Sequence, residues 1–173
     1  IGVYEQNLIA GSGFARYSAL IPKTEEEKAA DAKLSLKRRS DNRDKENYDL
    51  AASRSLAIMD RHTGKVKWQI DARHGFIHNS IIAADGKLFC LDKLPAFTEN
   101  KMTRRGLTLP DNYRLLVVDI ESGKIEWQIE QNVFGSWLSY SLKHNVLLQA
   151  ARPSGDMLRG EKGYGKFDPR DYQ

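Results

Sequence analysis

The chain has 173 residues, of which 40% are apolar and 29% charged, a composition typical of a globular domain that buries its own core. The net charge of +4 comes from basic residues interleaved with acidic ones, as in residues 37–46, which argues against a nucleic-acid role. Cys90 is the only cysteine, which excludes an intrachain disulfide, and no apolar run reaches the roughly 20 residues of a membrane helix.

The N-terminal residues 1–14 are predicted to be an incomplete structural unit, since a polar turn at Gln6-Asn7 precedes a short apolar run. An insert follows in residues 15–53. Within it, Thr24 and Glu27 have the Thr-x-x-Glu spacing of a capping box ahead of a stretch rich in Ala and Lys. This pattern predicts one surface helix that reaches about Leu36, followed by a charged tail.

Two complete units are predicted in residues 54–92 and 113–151, because residues 56–71 return without a gap as residues 115–130. The offset is 59 residues, as from Gly64 to Gly123 (123 − 64). Each unit contains Asp-x-x-Thr/Ser-Gly-Lys after an apolar run, where the Asp and Thr or Ser side chains can hydrogen-bond the turn backbone and glycine can take a positive φ. A hairpin turn between two antiparallel strands is therefore predicted in each unit.

The remaining strands follow from alternation and turn signals. Residues 65–70 and 124–129 alternate polar with apolar side chains, the pattern of a half-buried strand. Separate strands are predicted at 76–84 and 136–143, each turning at a Gly- or Asn-containing turn into a further strand. About nine strands result, against four per blade in propellers.

Two further inserts are predicted, at residues 93–112 and 153–173. The first is expected to be loop-like because it contains Pro95, Gly106 and Pro110. The second carries four Gly or Pro residues between Gly160 and Pro169.

Two patterns with matching Asp, Gly and Trp positions resemble the repeat of pyrroloquinoline-quinone-type β-propellers. They are Asp60-x-x-Thr63-Gly64-Lys65-x-x-Trp68 and Asp119-x-x-Ser122-Gly123-Lys124-x-x-Trp127. This bacterial family includes quinoprotein alcohol dehydrogenases and the propeller lipoprotein of the outer-membrane assembly machinery. The resemblance implies an all-β partial propeller of about two to two and a half four-stranded antiparallel blades. It also implies a structural role for the two tryptophans, which in this family pack between neighbouring blades.

The resemblance leaves two functions open. The first is a structural or interaction scaffold with no complete active site, whose partner is the rest of a propeller or another protein. The alternative is part of a pyrroloquinoline-quinone-dependent oxidoreductase whose site lies outside this segment. Dehydrogenases of the family carry adjacent cysteines and hold calcium with acidic and amide residues, whereas Cys90 has no neighbouring cysteine. Pyrroloquinoline quinone and calcium are therefore expected only under the alternative.

The family also implies export, so a periplasmic or extracellular location is expected. The repeat places its next Asp at position 178 (119 + 59), just past Gln173, and the chain begins with Ile1. We therefore expect a fragment of a larger propeller.

Several other residue groups are weighed as sites and interpreted more simply. His74 and His78 have a spacing that suits metal ligands on a helix, but a loop-to-strand position here favours surface histidines. The glycines of Gly11-Ser12-Gly13 and of residues 160–165 are interpreted as turns and not as phosphate-binding loops.

Three more groups complete the candidates. A hydrolytic triad of Ser136, His144 and Asp156 has no support from spacing. The basic residues of 101–105 are interpreted as a solvated insert, ahead of a site for an acidic partner. The aromatic cluster Phe134, Trp137 and Tyr140 is expected in the core or between blades, ahead of a carbohydrate or peptide platform.

Overall fold

The computed structural model describes residues 2–15, 17, 20–33 and 49–151. Of these described residues, 53% lie in strands and 12% in helices. In chain order the described elements are β1 (Gly2–Tyr4), β2 (Asn7–Ala15), α1 (Glu25–Ala32), β3 (Asp49–Asp60), β4 (Val66–Ala84), β5 (Lys87–Asp92), α2 (Ala96–Arg104), β6 (Arg114–Asp119), β7 (Ile125–Ile129), β8 (Trp137–Ser141) and β9 (Val146–Ala150). The charged tail predicted after Leu36 falls in the range up to residue 48, so it and the insert 153–173 lie outside the described residues.

The strands form two antiparallel sheets. Strands β1 to β7 make one sheet in simple chain order, and β8 pairs with β9 in a second sheet of two strands. The prediction of a mostly antiparallel β-fold is confirmed. Over the described ranges, neither sheet closes into a barrel or a propeller.

Strand β4 is 19 residues long, and it pairs with two different strands along its length. Its first part pairs with β3, as in Leu56 with Ile70, and its last part pairs with β5, as in Ala84 with Lys87. The prediction of two separate strands here is wrong for the first unit. In the second unit β7 and β8 are separate, and Asn132 and Gly135 between them have positive φ values of 56° and 71°.

The helix predicted after Thr24 is confirmed, and its capping box is formed. The backbone N–H of Thr24 donates to the Glu27 carboxylate at 2.8 Å, and the Glu27 N–H donates to the Thr24 hydroxyl at 3.2 Å. Helix α1 ends at Ala32, before the expected Leu36, and residues 34–36 are not described.

The prediction of a loop in residues 93–112, and of one helix only, is wrong, because α2 occupies Ala96–Arg104. Pro95 stands at the N-cap, where its fixed φ is compatible with a helix start. Gly106, with φ of 66°, follows the last turn, as glycines commonly do at helix C-termini. Both residues flank the helix, so they mark its ends and do not interrupt it.

The core lies on both faces of the sheet at β5 and β6. Successive side chains of a strand point to opposite faces, and Leu116 and Val117 accordingly belong to two different buried clusters. One face is covered by α2 and the β8–β9 hairpin through Met102, Leu138 and neighbouring side chains. The other face packs against β3, the first part of β4 and Ile120.

Candidate functional site

The two Asp-x-x-Thr/Ser-Gly turns have the same hydrogen bonds. The Asp60 carboxylate accepts from the Thr63 N–H at 2.7 Å and from its hydroxyl at 2.8 Å. The Asp119 carboxylate accepts from the Ser122 N–H at 2.7 Å and from its hydroxyl at 2.6 Å. The glycine that ends each turn has a positive φ, 70° at Gly64 and 73° at Gly123.

These bonds favour the charged form of each carboxyl group. Donation by the Thr63 backbone and hydroxyl lowers the pKa of Asp60, and donation by the Ser122 hydroxyl and backbone lowers the pKa of Asp119. Both turns are therefore organised around an ionised aspartate.

Trp68 of the first unit packs on the turn of the second. Its indole Nε1–H donates to the carbonyl oxygen of Ile120 at 2.8 Å. A Cβ placed on Gly123 would lie 2.7 Å from the Trp68 Cγ, which no real side chain tolerates. Glycine is required here both for the positive φ and for the close approach of the ring.

A polar network extends the same contact. The Lys67 ammonium donates to the Glu121 carboxylate at 2.7 Å and to the Asn7 amide oxygen at 2.8 Å. The buried Asn7 amide donates to the other Glu121 oxygen at 2.5 Å. We call the contact of Trp68 and Lys67 with the turn of residues 120–123 the interunit joint.

The joint lowers the pKa of Glu121, first through the Lys67 ammonium and then through the Asn7 amide. Because the folded-state pKa of Glu121 lies below its ordinary value of 4.5, the stabilising contribution is fully present above that pH and is lost as pH falls through the folded-state pKa. In Glu121→Gln, urea unfolding at a series of pH values should show a stability deficit that is largest near neutral pH and shrinks on acidification. A deficit that is independent of pH would contradict this role.

Trp127 occupies the position in the second unit that Trp68 occupies in the first. Trp68 pairs with Ile58, and Trp127 pairs with Val117, at the 59-residue offset. Trp127 is nevertheless 43% exposed. An open cavity of about 350 Å³ lies beside its ring and is lined in part by Lys87, Glu126 and Tyr140.

The turn of the first unit is equally open. Among the described residues other than its two chain neighbours, none has an atom within 4 Å of a Cβ placed on Gly64. The residues of the two patterns thus meet only in part. The described contacts join Trp68 to Gly123, while Gly64 and Trp127 each keep an exposed surface.

Asp92 is the centre of a buried hydrogen-bond network that was not predicted from the sequence. Its carboxylate accepts the backbone N–H groups of Arg73, His74 and Gly75 at 2.7, 2.9 and 3.0 Å. It also accepts the Arg114 Nε–H at 2.8 Å, and Asp92 is fully buried. This one carboxylate holds the middle of β4 against β5 and β6. It is also the physical reason that β4 continues through a polar segment.

The quinone and calcium site of the family's dehydrogenases does not fit these residues. Cys90 is fully buried in the sheet, and burial raises the pKa of its thiol. Within the described ranges, no group of three or more His, Cys, Asp and Glu side chains is placed to hold a metal ion.

The two histidines at metal-ligand spacing have different partners. They lie within β4 and not at a loop-to-strand entry, so that part of the interpretation is wrong. The His74 Nε2 lies 2.7 Å from the Asn112 amide oxygen, whereas the His78 Nε2 lies 2.8 Å from the Ser53 hydroxyl. The Ser53–His78 pair lines another open cavity and had no signal in the sequence.

The glycines of Gly11-Ser12-Gly13 lie in β2, so their prediction as a turn is wrong. A Cβ on Gly11 would lie 2.1 Å from the Ser53 hydroxyl oxygen, so glycine serves close packing between strands. Ser136 is buried before β8, and His144 is exposed before β9. Asp156 and residues 160–165 lie outside the described residues.

The basic segment 101–105 ends helix α2, and Arg105 has an acidic partner within the chain. Its guanidinium forms an ion pair with Glu27 of α1 and donates to the Pro22 carbonyl at 2.9 Å. Hydrogen bonds from the Thr24 backbone and from Arg105 lower the pKa of Glu27. The two inserts are therefore held together by charge.

The aromatic cluster is divided between core and surface. Tyr140 stacks on Phe89 with a centroid distance of 4.8 Å. Phe134 and Trp137 are 49% and 44% exposed, so the expectation of core packing is wrong for these two residues.

No helix within the described ranges has the length and apolarity needed to cross a membrane. No protein-family model matches the chain, and no curated protein is significantly similar to it.

Proposed function

We propose that the chain is a structural and interaction scaffold built from quinoprotein-like β-propeller repeats. In this proposal each unit is attached to the next by a tryptophan that packs on the Asp-x-x-Thr/Ser-Gly turn. The observation that carries the proposal is the contact of Trp68 with Gly123 and with the Ile120 carbonyl. That contact joins the tryptophan of one repeat to the turn of the next repeat.

The chemistry of the joint supports a scaffold. The joint consists of the Trp68 ring packed on Gly123, one indole hydrogen bond and the polar network around Glu121. Each of these contacts fixes the position of one unit against another. Since an indole in such a contact buries a large apolar area, the joint contributes stability and orientation.

A matched pair of glycine substitutions tests the proposal. Gly64→Ala and Gly123→Ala place the same methyl group on turns with nearly equal φ, 70° and 73°. Each variant should lose about 1 kcal/mol of folding stability, because alanine is strained in the left-handed backbone conformation. Gly123→Ala should lose about 1–3 kcal/mol more, because its methyl group overlaps the Trp68 ring.

The measurement is urea unfolding followed by circular dichroism, at a protein concentration where the chain is monomeric. Tryptophan fluorescence reports on the joint in the same titration. Equal losses for the two variants would show that Trp68 does not hold the units together, and would overturn the proposed function.

A further inference from the structure

The chain carries both halves of a second interunit joint, and they do not meet. Trp68 and Ile70 pack against the buried cluster that contains Ile120. Their counterparts at the 59-residue offset, Trp127 and Ile129, are 43% and 44% exposed. Trp127 and Ile129 pair with Val117 and Leu115 of β6, so they form an apolar stripe on one face of β7.

The turn that would cover such a stripe is also present and open. The turn of residues 60–64 has the same aspartate hydrogen bonds as the turn that receives Trp68. Among the described residues other than its two chain neighbours, none occupies the space over Gly64 to a distance of 4 Å. The acceptor equivalent to the Ile120 carbonyl is the carbonyl of Arg61.

The charged residues around the two open halves differ from those of the internal joint. Inside the chain, Lys67 on the strand meets Glu121 on the turn. At the same offset, Glu126 stands on β7 and His62 stands on the first turn, next to Arg61. Glu126 already forms an ion pair with Lys87 at 2.7 Å, and the His62 Nε2 lies 2.8 Å from the Gln6 side-chain oxygen. The match between the two open halves therefore rests on the tryptophan ring and the turn, as it does in the contact of Trp68 with Gly123.

We propose that a second copy of this chain docks its turn of residues 60–64 onto Trp127, and so repeats between molecules the joint that exists within one. The inference rests on the proposed function and adds the partner. The interface is heterologous, because one molecule contributes β7 and the other contributes the turn. Each docked copy therefore leaves one further half available at either end of the assembly.

The experiment is sedimentation velocity of the full 173-residue chain over a range of concentrations. The average mass of the wild-type protein should rise with concentration. Trp127→Ala removes the ring, and Gly64→Ala puts a methyl group where the ring would lie, so each should weaken self-association by about tenfold or more. A wild-type chain that stays monomeric throughout would overturn the inference.

A mixture of the two variants provides the decisive arm. Trp127→Ala keeps an intact turn and Gly64→Ala keeps an intact tryptophan, so together they can form one joint and no more. An equimolar mixture should restore association, but only to a species of two chains. Failure of the mixture to associate, or self-association of both variants at wild-type strength, would contradict docking at these residues.

This test and the stability test fail in different ways. If Gly123→Ala loses no more stability than Gly64→Ala, the proposed function is wrong. If that stability difference is found but the wild-type chain remains monomeric, only the partner is wrong.

Discussion

Replacement of Asp92 by alanine is expected to lower the free energy of unfolding by about 3–5 kcal/mol, the range typical of removing one partner of a buried ion pair. The substitution leaves Arg114, a residue that is 8% exposed, without its buried anion. It also removes the acceptor for three successive backbone N–H groups of β4. Unpaired buried groups of this kind carry their full desolvation cost.

Thermal and urea unfolding followed by circular dichroism would measure the Asp92 effect. Asp71→Ala is the matched control, since Asp71 is an exposed aspartate of β4 and such surface substitutions usually change stability by less than about 0.5 kcal/mol. Similar losses of unfolding free energy in Asp71→Ala and Asp92→Ala would mean that the hydrogen bonds of Asp92 do not stabilise the sheet.

Replacement of Trp68 by alanine is expected to cost about 3 kcal/mol, the lower end of the range for core aromatic residues, because the ring is only partly buried. Trp127→Ala should cost about 1 kcal/mol in the monomer, since its ring is 43% exposed. The two residues share the same position in the repeat. The difference between the two losses in unfolding free energy therefore measures how much the packing of the turn of residues 120–123 on Trp68 stabilises the fold.

The tryptophan pair is best compared by urea unfolding at low protein concentration. Trp68→Phe serves as a second variant that keeps an aromatic ring but loses the hydrogen bond to the Ile120 carbonyl. It should lose less stability than Trp68→Ala. Equal costs at positions 68 and 127 would show that packing within each unit, and not the joint, determines the effect.

Local chemistry made the turns predictable from sequence. Asp-x-x-Thr/Ser-Gly specifies its own hydrogen bonds, and the structure has them at Asp60 and at Asp119. The capping box of Thr24 and Glu27 likewise specified the start of α1. In each case the side chain and the backbone group it binds are within four residues of each other, so the pattern contains the whole interaction.

Long-range partners explain what sequence reasoning missed. Residues 71–75 are largely polar, which suggested a break, yet β4 continues because Asp92, 17 to 19 residues away, accepts their N–H groups. The pattern around Trp127 equals that around Trp68. Whether a tryptophan at this position is exposed depends on which distant residues pack on it, and the repeat pattern does not specify those residues. Helix α2 escapes prediction because Pro95 and Gly106 are typical of loops, whereas here they flank the two ends of the helix.

The shared strand β4 has a consequence for how the protein unfolds. Arrays of separate repeats can open one repeat at a time, since each contacts only its neighbours. Here a single strand contributes hydrogen bonds first to β3 and then to β5, so detaching one pairing frees the end of the other. Amide hydrogen exchange should accordingly give β3, β4 and β5 one common opening free energy, as for a single cooperative unit.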